Sequence, residues 1–206
     1  MRFLRSAISI ASAAAIALPA VVLAQTGVGA SVTPYGGYLV TGNWYDGPFG
    51  TNVSASNAPM LGAQATIPLS KGIALIGNLA YASGDLRVGI PLLGGINVGK
   101  TKTYLYDAGL ELGGLAGRRT GIAPFVQGGI GGMTNDISNG LLNTHATNLA
   151  YSGGVGVDVG VARGFALRVQ AKDWIGRFDS KEAVGLSSKS NLTHNWALTA
   201  GVKFAF

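Results

Sequence analysis

The last eleven residues constrain this chain more than any other stretch. From Trp196 to Phe206 every second position (Trp196, Leu198, Ala200, Val202, Phe204, Phe206) is apolar, and the residues between are small or polar. A period of two is the mark of a strand with two unlike faces. Of the 206 residues, 48% are hydrophobic and 12% charged, so the chain is too apolar for disorder. Yet past its start no apolar run nears the roughly 20 residues of a membrane-spanning helix. Two classes survive: a soluble all-β core, or a barrel whose apolar face meets lipid and whose inward face dilutes the hydropathy.

The beginning of the chain and its connections choose between them. Arg2 and Arg5 precede an apolar stretch over 7–18, and Val22-Leu23-Ala24 supplies small residues, the three parts of a secretory signal. The expected organisation is a signal peptide at 1–24, cleaved after Ala24, and one β-barrel domain at 25–206. Cleavage removes Arg2 and Arg5, so the formal charge of +6 falls to +4. Eight strand-like segments follow, at 32–42, 59–69, 73–83, 103–113, 122–133, 148–162, 165–178 and 194–206. The links between them alternate strictly. Those at 43–58, 84–102, 134–147 and 179–193 are long; those at 70–72, 114–121 and 163–164 are short. An up-and-down membrane barrel has this order, with long outer loops, short periplasmic turns and an even strand number. The fold class is therefore all-β: an eight-stranded antiparallel up-and-down transmembrane β-barrel behind a cleavable signal peptide. The expected location is a bacterial outer membrane.

Parity sorts the side chains. Leu149, Tyr151, Val155, Val157, Val159 and Val161 alternate with Ser152, Gly154, Gly156, Asp158 and Gly160; Phe165, Leu167 and Val169 alternate with Arg168, Gln170 and Lys172. A charge facing lipid at mid-bilayer costs about 2–4 kcal/mol, so the charged parity belongs inside. That places Asp107, Glu111 and Asp158 in the lumen with Arg168, Lys172 and Lys203, three acids against three bases. An eight-strand lumen is just wide enough for side chains to fill. A paired network that blocks passage is the expected result, and a narrow ion-selective pore is the alternative.

Some features strain this scheme or stand apart from it. Asp173 falls on the lipid parity, so either it lies above the bilayer or a bulge after Lys172 turns Trp174 outward. Pro124 needs a strand end, because a closed barrel has no free edge. The basic turn residues Lys71, Arg118, Arg119 and Arg163 suit either solvation or anionic headgroups. Phe165, Phe204 and Phe206 fit an inner aromatic belt, and Tyr81, Tyr104, Tyr151 and Trp196 an outer one. Trp44, Tyr45 and Phe49 lie in the first loop. The apolar segment 88–96 suits a hairpin rising above the membrane.

These residues resemble the small outer-membrane β-barrel superfamily that includes the OmpA transmembrane domain and OmpX-like proteins. The carriers are Pro124-Phe125-Val126-Gln127-Gly128-Gly129-Ile130-Gly131-Gly132, Tyr151-Ser152-Gly153-Gly154-Val155-Gly156-Val157-Asp158, Phe165-Ala166-Leu167-Arg168-Val169-Gln170 and Phe206. The resemblance implies that the last strand, with Trp196, Leu198, Val202, Phe204 and Phe206, carries the signal read by the barrel-assembly machinery. No peptidoglycan-binding domain follows, so the anchoring role of OmpA is not implied.

Chemistry is sparse. The chain has no cysteine, which removes disulfides and thiolate zinc sites. Two histidines without an acidic cluster do not suggest a metal centre. Gly94-Gly95 and the 128–132 run lack the lysine and helix of a phosphate loop. A lipid-modifying enzyme would need a nucleophile, a base and an acid in reach. Asp136, Ser138 and His145 share one loop, and His194 neighbours Ser190 and Asp179. The reading is a non-enzymatic structural or surface-interaction protein without cofactor. It is expected to be a monomer contacting membrane lipid and the assembly machinery, to offer its loops to an extracellular ligand, and to bind no nucleic acid. The alternatives are a narrow porin-like pore and, more remotely, a lipid-modifying enzyme.

Overall fold

Alternating residues in runs this long form strands, and in lipid their backbone groups must pair with one another. The computed structural model describes residues 29–46, 52–90, 94–114, 121–139, 142–177 and 192–206. The signal-peptide residues 1–24 lie outside them. The strands are β1 (Ser31–Thr41), β2 (Asn43–Asp46), β3 (Asn52–Ala55), β4 (Ala58–Ser70), β5 (Ile73–Ile90), β6 (Gly94–Gly113), β7 (Gly121–Asn139), β8 (Leu142–Ala162), β9 (Phe165–Arg177) and β10 (Leu192–Ala205). Eight of them close an antiparallel ring, in the order β1-β4-β5-β6-β7-β8-β9-β10 and back to β1. The short β2 and β3 form a flap on the outer extension of β5. No helix occurs among the described residues.

The register fixes the shape. Stepping across the ladder from Val32 passes Ala65, Gly77, Ala108, Ile130, Tyr151, Ile175 and His194. It returns to β1 at Gly42, whose N–H donates to the His194 carbonyl at 3.0 Å. One circuit therefore climbs ten residues along β1. Ten residues are about 33 Å of strand against about 38 Å for eight inter-strand spacings, a tilt of about 41°. Each residue then rises about 2.5 Å along the axis, and each step to the next strand about 3 Å.

The wall is aliphatic. Leu110, Val155, Val169, Leu198 and Val202 all point outward and are exposed. Two aromatic levels bound this band. Tyr81 and Tyr104 meet at 5.2 Å between ring centroids on the side of the long links. Phe165 and Phe204 meet edge-on at 5.4 Å on the side of the short turns. The short turns hold Gly72 (φ 81°) and Gly164 (φ 78°), each in the left-handed region that glycine enters without strain. Tyr35 lies over Gly62, Phe125 over Gly156 and Tyr106 over Gly132; in each pair a Cβ on the glycine would collide with the ring. The glycines thus let aromatic rings lie flat on the neighbouring strand.

Three expectations change. The strands outrun the predicted segments: β5 and β6 pair up to Ile90 and Gly94, and β7 and β8 up to Asn139 and Leu142. The second loop is the hairpin expected from its sequence, with residues 91–93 outside the described set. The third, expected as a loop, is zipped almost to its tip. Pro124 is four residues into β7, yet its missing N–H costs little. Its carbonyl accepts from Gly114 N at 2.9 Å, so its nitrogen faces β6 just where β6 ends. No bulge follows Lys172: the β9–β10 register runs unbroken through Trp196↔Asp173 and Asn195↔Trp174. Trp174 is inside, fully buried, and Asp173 keeps its outward parity. Phe49, Arg118 and Arg119 lie outside the described residues.

The depth of the wall is testable by denaturant titration of the barrel in lipid vesicles. Val169→Arg, near mid-depth, should lower the unfolding free energy by about 2–4 kcal/mol, and Leu192→Arg, above the outer belt, by about 0–1 kcal/mol. Equal costs at the two positions would mean that this wall does not face lipid.

Candidate functional site in the lumen

The inward parity of all eight barrel strands converges on the axis, and the side chains sort into strata. The lowest, near the periplasmic turns, is built on Arg168 of β9. Its Nε donates to Asp158 Oδ1 at 2.6 Å and its Nη2 to Oδ2 at 2.8 Å. Nη1 and Nη2 also donate to Glu111 Oε2 at 2.8 Å and Oε1 at 2.9 Å. One guanidinium so bridges carboxylates on β6 and β8, using its planar fork twice. Lys203 of β10 donates to Asp158 Oδ2 at 3.0 Å and lies 4.0 Å from Glu111 Oε1. The Phe125 ring covers the guanidinium at 4.1 Å, a cation–π contact.

Above this sits an amide level. Gln64 donates to Glu111 Oε2 at 3.3 Å, and Gln127 to Gln170 Oε1 at 3.1 Å. Next comes Asp107 at mid-barrel. Its two oxygens take Lys172 Nζ at 2.9 and 2.7 Å, Trp174 Nε1 at 3.0 Å, Asn78 Nδ2 at 3.2 Å and Ser152 Oγ at 3.1 Å. Tyr35 donates to Asn78 Oδ1 at 2.7 Å and extends this network to β1. Lys172, Asp158, Glu111 and Arg168 are each no more than 2% exposed.

The stratum above Asp107 is apolar. Trp174, Met60, Leu105, Met133 and Leu39 are buried there, with Ala58, Ala82 and Ala150 between them. The parity of the charged residues does not by itself mark this layer. Over the apolar layer, toward the outer mouth, lie Thr103, Asn135, Thr193 and Asn195, all buried. Thr103 donates to Asn135 Oδ1 at 2.9 Å.

The six charged residues singled out from sequence thus fall into two networks at different heights. Asp107 and Lys172 form one; Glu111, Asp158, Arg168 and Lys203 form the other. Sequence reasoning did not join Asn78, Gln64, Ser152 or Trp174 to the charge networks and did not find the apolar layer, although all share the inward parity of the charges beside them.

The histidines lie elsewhere. The zipped third hairpin sets Asp136 directly opposite His145, with Ser138 two residues along β7. This stretch of β7 is paired on both sides as far as Ser138, so its backbone N–H groups are committed to the ladders. An oxyanion would find no backbone donors there. Ser190 and Asp179, the sequence neighbours considered for His194, lie outside the described residues. The His194 Nδ1 is 2.6 Å from Asp173 Oδ2, on the outer wall. Among the described residues no three His, Asp or Glu side chains converge as a metal site would.

A closed eight-strand ring, aliphatic outside between two aromatic levels and packed inside, defines a small membrane-spanning β-barrel. The chain belongs to the outer membrane protein beta-barrel domain family, whose model matches residues 7–205, and it resides in the bacterial outer membrane. OprG from Pseudomonas aeruginosa is similar in structure at 14% identity, covering 87% of this chain and 96% of that one with a TM-score of 0.62. Neisserial surface protein A (NspA) is similar at 13% identity, 86% and 97% coverage and a TM-score of 0.57. The outer membrane protein AlkL, determined in DMPC lipid bilayers, is similar at 17% identity, 86% and 90% coverage and a TM-score of 0.55. At these identities the likeness is one of fold. No curated protein matches the chain.

Removing one partner from the lower network strands charge in a dry place. Arg168→Ala should therefore lower the unfolding free energy in vesicles by about 3–5 kcal/mol, while Lys102→Ala on the exposed rim changes it by about 0–1 kcal/mol. A near-neutral Arg168→Ala would show that the network contributes no stability.

Proposed function

We propose that this protein acts as a closed barrel, a non-enzymatic structural and surface-interaction component of the outer membrane rather than a channel. The observation that carries this reading is the stack of the two ionic networks beneath a fully buried apolar layer. An ion entering from outside would pass the polar level of Thr103, Asn135, Thr193 and Asn195 and then meet Trp174, Leu105, Met60 and Met133. It would then have to part ion pairs of 2.6–3.0 Å around Arg168 and Lys172. An apolar constriction resists wetting, and paired charges offer a passing ion no free partner.

What remains available to partners is the outer face. Ile90 is nine residues beyond Tyr81 on β5, so this hairpin stands roughly 20 Å above the outer belt. The β7–β8 hairpin rises beside it, and β2 and β3 widen the sheet. Ser56 joins flap to barrel: its N–H donates to the Asp85 carbonyl at 2.7 Å, and its Oγ accepts from Asp85 N at 2.7 Å. Such a platform suits an extracellular ligand or macromolecule. In the same reading the barrel works as a monomer, and the last strand, with Trp196, Leu198, Val202, Phe204 and Phe206, presents the assembly signal to the barrel-assembly machinery.

Planar-bilayer recording on purified protein separates barrel from pore. The wild type should show no steady conductance. Sustained ohmic currents that disappear in Arg168→Ala or Asp107→Ala would reject the plug and install the pore.

A further inference from the structure

Asp173 stands out on a wall otherwise left to lipid. It faces outward, opposite Trp196 and beside Gly153, yet is only 5% exposed. Its Oδ1 accepts from Asn195 N at 3.0 Å, and its Oδ2 engages His194 Nδ1 at 2.6 Å. The carboxylate is therefore satisfied within the wall, and the imidazole is oriented by it. The His194 side chain is half exposed, and with Nδ1 taken, Nε2 is the nitrogen left to face outward. Trp196, paired with Asp173, and Tyr151, paired with Ile175 two residues along β9, are both exposed at the level of the outer belt. Aromatics at this level mark the zone of lipid headgroups.

A second, independent feature begins at the same point. In register with Asp173, the outer face continues through Gly153 to Gly128. A Cβ at Gly153 would meet nothing within 4 Å, and one at Gly128 only the Ser152 carbonyl at 3.8 Å. The two glycines thus floor an open lane. One bank is Ile130 and Tyr151, the other Val126 and Val155, and all four are exposed and directly paired across β7 and β8. Because each strand step changes height by about 3 Å, the lane descends from the Asp173–His194 pair into the bilayer core. Its apolar lining below and polar head above match one lipid in the outer leaflet.

We propose that Asp173, His194 and the Gly128–Gly153 lane form a binding site for a phosphate-bearing membrane lipid. One acyl chain lies in the lane. The headgroup phosphate accepts a hydrogen bond from His194 Nε2, while Asp173 holds Nδ1. An imidazolium shared between a carboxylate and a phosphate gives each ring N–H a charged acceptor. The role is recognition and not turnover, since no nucleophile stands beside the pair among the described residues.

The test uses the full barrel folded in an alkyl-maltoside detergent, which carries no phosphate. His145→Gln leaves one ring for nitrogen NMR. Added dimyristoyl phosphatidic acid should shift the His194 Nε2 resonance. Inorganic phosphate, or a neutral glycolipid with the same chains, should leave it in place. Native mass spectrometry should find one more retained phosphatidic acid on the wild type than on His194→Asn or Gly153→Val. Gly77→Val, at another outward glycine with open space, should retain it like the wild type, and heat-modifiable gel migration verifies that every variant is folded. A His194 signal indifferent to phosphatidic acid overturns the proposal. So does a response to inorganic phosphate as large as to lipid, or equal lipid retention by wild type, His194→Asn and Gly153→Val.

Discussion

The whole molecule depends on one backbone requirement: in a medium without water, every N–H and C=O of the wall must find a partner in the wall. Helices meet it locally, whereas a sheet meets it only by closing. Here closure is the pairing of β1 with β10, from Ser31↔Ala205 to Thr41↔Asn195. The offset of ten residues that this pairing imposes sets the tilt, and with it the bore. The bore in turn sets the chemistry. With eight strands the inward side chains reach one another across the axis, so Arg168 can bridge Glu111 and Asp158 from a third strand. A wider ring would hold the same residues apart in water.

That geometry explains why much of the architecture was legible in the chain. The period of two appears wherever one face meets lipid and the other does not. The alternation of link lengths reports that successive strands run in opposite directions between two unlike compartments. The charged residues Asp107, Glu111, Asp158, Arg168, Lys172 and Lys203 could be assigned to the lumen by parity alone. Parity could not assign their heights. Height depends on the inter-strand register, a long-range property that no single segment contains. For this reason the six charges read as one network from sequence, while the molecule separates Asp107 and Lys172 from the other four. The same blindness hid the apolar layer. Leu39, Met60, Leu105, Met133 and Trp174 come from five strands far apart in the chain, and they become a layer only once the strands are staggered.

The outer extensions were underestimated for a different reason. Above the membrane the wall has water on both sides, so neither face must be apolar and the alternation fades. Strand pairing persists there on backbone hydrogen bonds, which leave no pattern in the side chains. Asp173 is a different case. Its charge on the lipid parity left two readings open, a place above the bilayer or a bulge after Lys172, because a lone carboxylate in the wall is costly. The sequence order hides that Asn195 N and His194 Nδ1, on the facing strand, both reach it. Two hydrogen bonds from β10 leave the strand no reason to break its register.

The layering also bears on which barrier matters more. Ion pairs alone are an imperfect seal, because buried carboxylates and ammonium groups recruit water and can exchange partners along a chain of polar atoms. An apolar stratum has no such partners to offer, so water loses hydrogen bonds on entering it. Set above the ionic layers, Trp174, Leu105, Met60 and Met133 would, in the proposed plug, keep outside water from the Asp107 network. The low dielectric they maintain strengthens each pairing beneath. The Trp174 indole joins the two levels: its ring packs in the dry layer while its Nε1 donates to Asp107. Charge pairing therefore fixes how the lumen packs, and in the proposed closed barrel the dry layer above it is the seal.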